Sequence, residues 1–299
     1  MQTNEELLLK PKIDVVFHAL FRRKNNTLLE AMLSDILGIK VKIIENLDRH
    51  LDIQSADEKL GVMDLRVKFE DGTYCNVEIQ LKRHNYENER FLYYLSDVYS
   101  SQLERGAEYE TINKTISIVI LDHETEILKG IEDLNVRWQM RDNTTGQRML
   151  TDRFELVIIE LPKAKRIYYN RNEDRISQWM MFLDNPNSKE VSNIMSKNEN
   201  IRNANEELKQ VSGDYELRRI AQLKEKYIRD EKAAMSYAIQ QGLQQGLQQG
   251  LQQGIKKGIE QGEKKANIQV AKNMLELGLD VEIISKATGL SKEKILELK

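Results

Sequence analysis

The amino-acid sequence predicts an α/β fold in which helices flank a mixed central sheet, followed by a helical C-terminal extension. Three observations support this prediction. Apolar residues recur at helical spacing up to Gly38, alternating runs typical of strands follow, and a repeat with glycine at every fourth position begins at Gln240. Helical and strand patterns that alternate along one chain are typical of helices packed on the faces of a sheet.

The individual elements follow from these periodicities in chain order. Two helices are predicted at 16–21 and 28–37, where Gly38 fits a C-terminal helix cap. A further helix is predicted at 88–105 and ends at Gly106. Strands are predicted at 41–47, 62–69, 73–81, 116–121 and 154–161.

Changes in composition divide the chain into four predicted segments. An α/β domain covers 1–167, and a helical region with a charged connector covers 168–239. Within that region, 198–232 is interpreted as an exposed helix or connector. The glycine repeat covers 240–266, and a small helical tail that resembles a helix-turn-helix covers 267–299.

Charge and cysteine content restrict the function classes. The formal net charge is −3, so any nucleic-acid site must be a local basic patch. Cys75 is the single cysteine, which excludes internal disulfides and favours the reducing cytoplasm as the compartment. The first residues lack the features of a signal peptide, and no apolar run is long enough to span a membrane.

Two alternating runs around the loop Glu70-Asp71-Gly72 predict a β-hairpin, and its loop length sets its register. A two-residue Asp-Gly turn would place Leu65 opposite Glu78 and would mix charged and apolar groups on both faces. A three-residue loop, with its glycine left-handed, instead pairs Phe69 with Thr73 and gives one wholly apolar face. The sequence therefore predicts the three-residue loop.

In this register Asp64 and Glu78 lie directly opposite each other. Two carboxylates at about 4 Å repel by about 4 kcal/mol at an effective dielectric constant of about 20. A divalent cation such as Mg²⁺ or Mn²⁺ removes this repulsion, since carboxylate oxygens are its preferred ligands. The alternative is that one carboxylate is solvated or paired with Arg66 or Lys68.

Two more polar residues follow on the same predicted strand face. Gln80 is expected to orient an attacking water or to contact the metal. Lys82, if the strand continues that far, is expected to neutralise the phosphate that is cleaved. The alternative for both residues is an ordinary polar position at the end of a strand.

These motifs resemble the recombination-promoting nuclease and transposase family, a branch of the PD-(D/E)XK nuclease superfamily. The resemblance rests on segments 10–21, 62–80 and 93–121 and extends to the glycine repeat and the C-terminal helices. It implies a PD-(D/E)XK-like mixed sheet flanked by helices and cleavage of DNA with a divalent metal.

The resemblance also implies roles for single residues. Asp64 and Glu78 would be metal ligands, and Asp14 would be a third acidic group brought in by the first helix. Gln80 stands where the superfamily usually has lysine, so metal-bound water, whose pKa is already lowered, would carry part of the activation.

The predicted function is therefore a DNA endonuclease that uses Mg²⁺ or Mn²⁺ and acts in recombination, mobile-element biology or phage defence. Contacts to the DNA backbone carry no sequence information, so weak sequence preference is expected. The alternative is a non-catalytic DNA- or protein-binding oligomer with a degenerate site, and a third interpretation is a structural interaction protein. The basic residues expected to hold the backbone are Lys10, Lys12, Arg22, Arg23, Lys24 and Arg83, the last beside Lys82 and His84.

The C-terminal part predicts homo-oligomers rather than a membrane anchor. Glycines at every fourth position permit close approach of helices, which favours self-association over a flexible tether. Segment 271–298 resembles a helix-turn-helix that could bind DNA. Its many acidic residues favour a second interpretation, in which it docks on protein or caps a dimer.

Overall fold

The computed structural model describes residues 7–22, 26–47 and 65–298, which form two compact units, Met1–Asp230 and Glu231–Lys299. In the described part of the chain, the strands are β1 (Ile43–Asn46), β2 (Leu65–Phe69), β3 (Tyr74–Gln80), β4 (Thr115–Leu121), β5 (Asn135–Gln139) and β6 (Phe154–Glu160). The helices are α1 (Asp14–Phe21), α2 (Thr27–Leu37), α3 (Glu87–Ser100), α4 (Leu161–Asn170), α5 (Arg175–Asp184), α6 (Lys189–Met195), α7 (Glu199–Ser212), α8 (Tyr215–Glu276), α9 (Val281–Thr288) and α10 (Lys292–Leu296).

The first unit is built on one mixed sheet with strand order β1-β2-β3-β4-β6-β5. β3, β4 and β6 run parallel, and the outer strands pair antiparallel. β4 is buried along its whole length, as its continuous apolar run requires of a central parallel strand. The predicted α/β fold with helices around a mixed sheet is confirmed.

The hairpin of β2 and β3 has the predicted three-residue loop. Leu65 pairs with Val77, and the N–H of Phe69 donates to the carbonyl of Thr73 at 2.8 Å. Gly72 has φ +87°, a conformation that L-residues rarely adopt. The register chosen from the alternation of apolar residues is therefore the one that the chain adopts.

Helices cover both faces of the sheet. On one face, Val77 of β3 and Ile118 of β4 belong to the larger core, which also contains side chains of α1, α2, α5 and α7. On the other face, Phe91 and Leu95 of α3 pack against Val119 of β4 and its neighbours on β6. Alternate residues of β3 therefore point to two different environments.

Two predicted elements require correction, and one strand was not predicted. The region 198–232 was interpreted as exposed, but α7 buries Ile201 and Leu208 and packs against α1 and α2. The third predicted helix ends at Ser100 rather than 105. Two residues later, the Gln102 side chain donates a hydrogen bond to the Thr115 hydroxyl and accepts one from the N–H of Asn113, and these bonds hold the chain outside the helix. β5 was not predicted, because it is a short edge strand with a largely exposed, polar sequence.

The second unit contains the glycine repeat and the C-terminal helices. The repeat is helical within α8, although each glycine costs about 1 kcal/mol relative to alanine in a helix. After it, Ala271, Ile284 and Ile295 join α8, α9 and α10 in a small core. Among the described residues, no helix combines the length and apolar character needed to cross a membrane. The apolar side chains of the repeat, which are 55% to 75% exposed, are Leu243, Leu247, Leu251, Ile255 and Ile259.

Candidate active site

Strand β3 carries a row of buried polar side chains on the face covered by α3. Cys75, Val77 and Ile79 belong to the larger core on the opposite face. The residues between them therefore point towards α3, as strand alternation requires. Glu78 is completely inaccessible to solvent and Gln80 is 4% exposed. Buried charged and amide groups of this kind are uncommon in a sheet core and mark a candidate site.

Two neighbours hold the carboxylate of Glu78. The side-chain amide of Gln80 donates a hydrogen bond to Glu78 Oε1. Arg90, from α3, places Nη2 at 3.8 Å from the same oxygen, and its guanidinium also lies 5.3 Å from the ring centre of Tyr94. The buried negative charge therefore has a cationic partner that is itself 28% exposed on its side chain. The sequence analysis missed Arg90, although its spacing of four residues from Tyr94 places both on one helix face.

The other predicted metal ligand on the hairpin, Asp64, lies outside the described residues. The described register ends with Leu65 opposite Val77. The pairing of Asp64 with Glu78 therefore stays a prediction.

Lys12 connects three elements at the edge of the sheet where β3 and β4 end. Its ammonium lies 2.9 Å from Asp122, just after β4, and 2.7 Å from Asp184, at the end of α5. The N–H of Asp122 in turn donates to the carbonyl of Gln80 at 2.9 Å. Burial alone would lower the pKa of Lys12, but the hydrogen bonds and charges of the two aspartates raise it above its ordinary value. These contacts tie Lys12 to two carboxylates, and its predicted contact with DNA stays a prediction.

Asp14 lies at the beginning of α1 and is also paired with a cation. Its Oδ2 is 2.5 Å from the ammonium of Lys224 in α8, and its Oδ1 accepts a hydrogen bond from the N–H of Val15. Lys10 forms a 2.7 Å ion pair with Glu225, the next residue of α8. The sequence analysis missed these contacts, because their partners are more than 200 positions apart in the chain.

Of the remaining predicted residues, the structure describes Lys82, Arg83 and Arg22. β3 ends at Gln80, so Lys82 follows in a bend rather than on the strand, with its ammonium 5.7 Å from the ring centre of Tyr227. Arg83 is exposed and lies 3.9 Å from Glu126. Arg22 directly follows α1, whereas Arg23 and Lys24 lie outside the described residues.

The donor chemistry at this site fits a hard divalent cation. Glu78 offers carboxylate oxygens and Gln80 an amide oxygen from one strand face, and Asn76, buried two residues earlier, has no hydrogen-bond partner for its amide in the described part of the chain. The described residues contain no group of three acidic, histidine or cysteine side chains that could hold a metal. The predicted ligand Asp64 lies outside these residues, so its place in a metal site stays a prediction.

Comparison with models of known protein families gave two matches. A family model described as PD-(D/E)XK nuclease family transposase matches residues 11–238. A second, described as the C-terminal HTH domain of the Rpn/YhgA-like nuclease family, matches residues 264–299. Searches of curated proteins and of solved structures gave no match. Since the first match spans more than half of the chain and includes β3 and α3, the chain belongs to the PD-(D/E)XK nuclease family transposases.

Proposed function

We propose that the protein is a DNA endonuclease that uses Mg²⁺ or Mn²⁺ and has little sequence specificity. The observation that carries this proposal is the completely buried carboxylate of Glu78, held beside Gln80 on β3 in a chain of a nuclease family. Burial of a charged group costs free energy unless the group is paired with a cation. Buried charged groups are therefore often found where a cation binds or a reaction takes place.

Glu78 and Asp64 would hold the metal, with Asp14 as a third acidic group. A bound divalent cation would supply polarisation of the phosphate and a lowered pKa for a nearby water molecule. The hydrogen bond from Gln80 fixes the orientation of the Glu78 carboxylate, so Gln80 acts on the ligand rather than as a base.

Arg90 lies next to the carboxylate of Glu78, and its side chain also reaches solvent. Its guanidinium can donate two parallel hydrogen bonds to a phosphate, which offsets negative charge as the phosphodiester bond breaks. Arg83, exposed on the loop after β3, and Lys82 beside it would contact further phosphates of the backbone. Such contacts do not read bases, which explains the low specificity that we propose.

Nicking of supercoiled plasmid by the full chain tests this proposal. Asp64→Ala and Glu78→Gln should each reduce nicking in Mg²⁺ by at least about 10²-fold, and a chelator should abolish it. Glu89→Gln, which removes an exposed acid from the first turn of α3, is the matched control and should nick like the wild type. Undiminished nicking by Glu78→Gln would refute the site.

A second candidate is a non-catalytic oligomer that binds DNA or protein. Gln80 favours it, because the superfamily usually has lysine there and the amide is already bound to Glu78. The exposed apolar residues of the glycine repeat, such as Leu243 and Leu247, also suit self-association between copies of α8. Metal-dependent nicking separates the two candidates, and light scattering of the full chain against a chain ending at 239 tests the oligomer. A role in recombination, mobile-element biology or phage defence stays a prediction.

A further inference from the structure

One turn of α8, residues 224–227, contacts three side chains that the sequence analysis selected for the site. No motif predicted this segment, which lies in the region interpreted as a charged connector. The contacts are an ion pair from Lys224 to Asp14, an ion pair from Glu225 to Lys10, and the ring of Tyr227 near the ammonium of Lys82.

These contacts bring this turn of α8 to the edge of the sheet where β3 ends. Lys82 follows Gln80 by two residues, and it contacts Tyr227. Tyr227 lies three residues from Lys224, so the two side chains share one face of the helix. One helical turn of α8 therefore contacts both Asp14 and Lys82, the residue two positions after Gln80.

The Lys224–Asp14 pair differs from the neighbouring Lys10–Glu225 pair in its burial. The side chains of Lys224 and Asp14 are 13% and 20% exposed, whereas those of Lys10 and Glu225 are 42% and 46% exposed. Solvent screens exposed ion pairs strongly, so such pairs contribute little to stability. A charge that is shielded from solvent is destabilising unless an opposite charge lies next to it. Lys224 therefore supplies the counter-charge of Asp14.

We propose that Lys224, in α8, takes part in metal binding and phosphate cleavage at the nuclease site. Its ammonium pairs with the carboxylate of Asp14, so it would compete with a divalent cation for that carboxylate. With a divalent cation on Asp14, the ammonium of Lys224 would be released and would offer the phosphate the positive charge that Gln80 cannot give. This inference rests on the proposed function, because it assumes that Asp14 belongs to the metal site.

Lys224→Met tests the competition with a readout that does not depend on cleavage. Removal of the competing charge should tighten binding of Mn²⁺ to the full chain on the order of tenfold, measured by isothermal titration calorimetry. The same variant should nick plasmid about 10²-fold more slowly at saturating Mn²⁺, because the phosphate loses its cation. Lys226→Met, which changes an exposed lysine in the same turn of α8, is the control and should alter neither quantity.

Tighter Mn²⁺ binding together with slower nicking would distinguish the proposed role of Lys224 from a purely structural one. Loss of a structural ion pair would weaken Mn²⁺ binding and nicking together, and that result would overturn the proposal. Wild-type values in both measurements would also overturn it. If Lys224→Met does not fold, Lys224→Gln, which can still donate a hydrogen bond to Asp14, should show the same pair of shifts.

The outcomes also distinguish this proposal from the proposed function. If Glu78→Gln abolishes nicking while Lys224→Met behaves like the wild type, only the role of Lys224 fails. If the wild-type chain binds no Mn²⁺, both proposals fail.

Discussion

The hairpin loop allows a quantitative test of the register that presents Glu78 to α3. Gly72 has φ +87°, and a Cβ atom at this position would lie 2.9 Å from Oδ1 of Asn113. A left-handed conformation costs an L-residue about 1–2 kcal/mol. The displaced Asn113 side chain would also lose its 3.3 Å hydrogen bond to the carbonyl of Thr111, worth about 0.5 kcal/mol. We therefore expect Gly72→Ala to lower the free energy of unfolding by about 1.5–2.5 kcal/mol.

Two variants separate the backbone term from the steric term in equilibrium urea denaturation. Gly72→Asn adds the same Cβ atom, but asparagine tolerates the left-handed conformation, so it should be more stable than Gly72→Ala. Asn113→Ala in the wild-type background removes the same hydrogen bond without the backbone term, so it should cost only the smaller part, about 0.5 kcal/mol. A Gly72→Ala chain that unfolds at the wild-type urea concentration would refute the left-handed loop, and with it the register argument for Glu78.

The remaining predictions concern Lys12 and Cys75. Lys12→Met removes the ion pairs to Asp122 and Asp184 and should lower the free energy of unfolding near neutral pH. Since the folded-state pKa of Lys12 is raised above 10.5, this stabilisation is present below 10.5 and is lost as pH rises through the folded pKa. The difference between wild type and variant in urea denaturation should therefore shrink at alkaline pH, and a difference that grows would contradict the ion pairs. Burial raises the pKa of the Cys75 thiol and leaves it 1% exposed, so a thiol reagent should label Cys75 only after unfolding. Rapid labelling of the native chain would contradict its place in the core.

The elements that could be predicted are those whose signal is local. The register of β2 and β3 followed from alternating apolar residues on both sides of Gly72, because only one loop length separates charged from apolar faces. Gly38 ends α2 in the left-handed conformation, as a helix followed by glycine predicts. These features depend on neighbours within about 15 residues, so one sequence is enough to specify them.

The parts that escaped prediction depend on contacts between distant residues. α7 has a charged sequence, yet Ile201 and Leu208 at helical spacing are buried because α1 and α2 provide a surface for them. The positively charged side chains near Glu78 and Asp14 also could not be predicted from local sequence. Arg90 and Lys224 lie in helices with many charged residues, and only the folded chain shows which of these charges meets Glu78 or Asp14.

The ion pairs of α8 have a consequence for the order in which the protein is made. Lys224 and Glu225 follow their partners Asp14 and Lys10 by 210 and 215 positions. Ribosomes synthesise the N-terminus first, so the segment before α1 leaves the tunnel long before the residues that neutralise it exist. Closure of such a long loop is entropically costly until the intervening strands and helices have folded. The edge that holds Asp14 is therefore completed only when translation has passed residue 225.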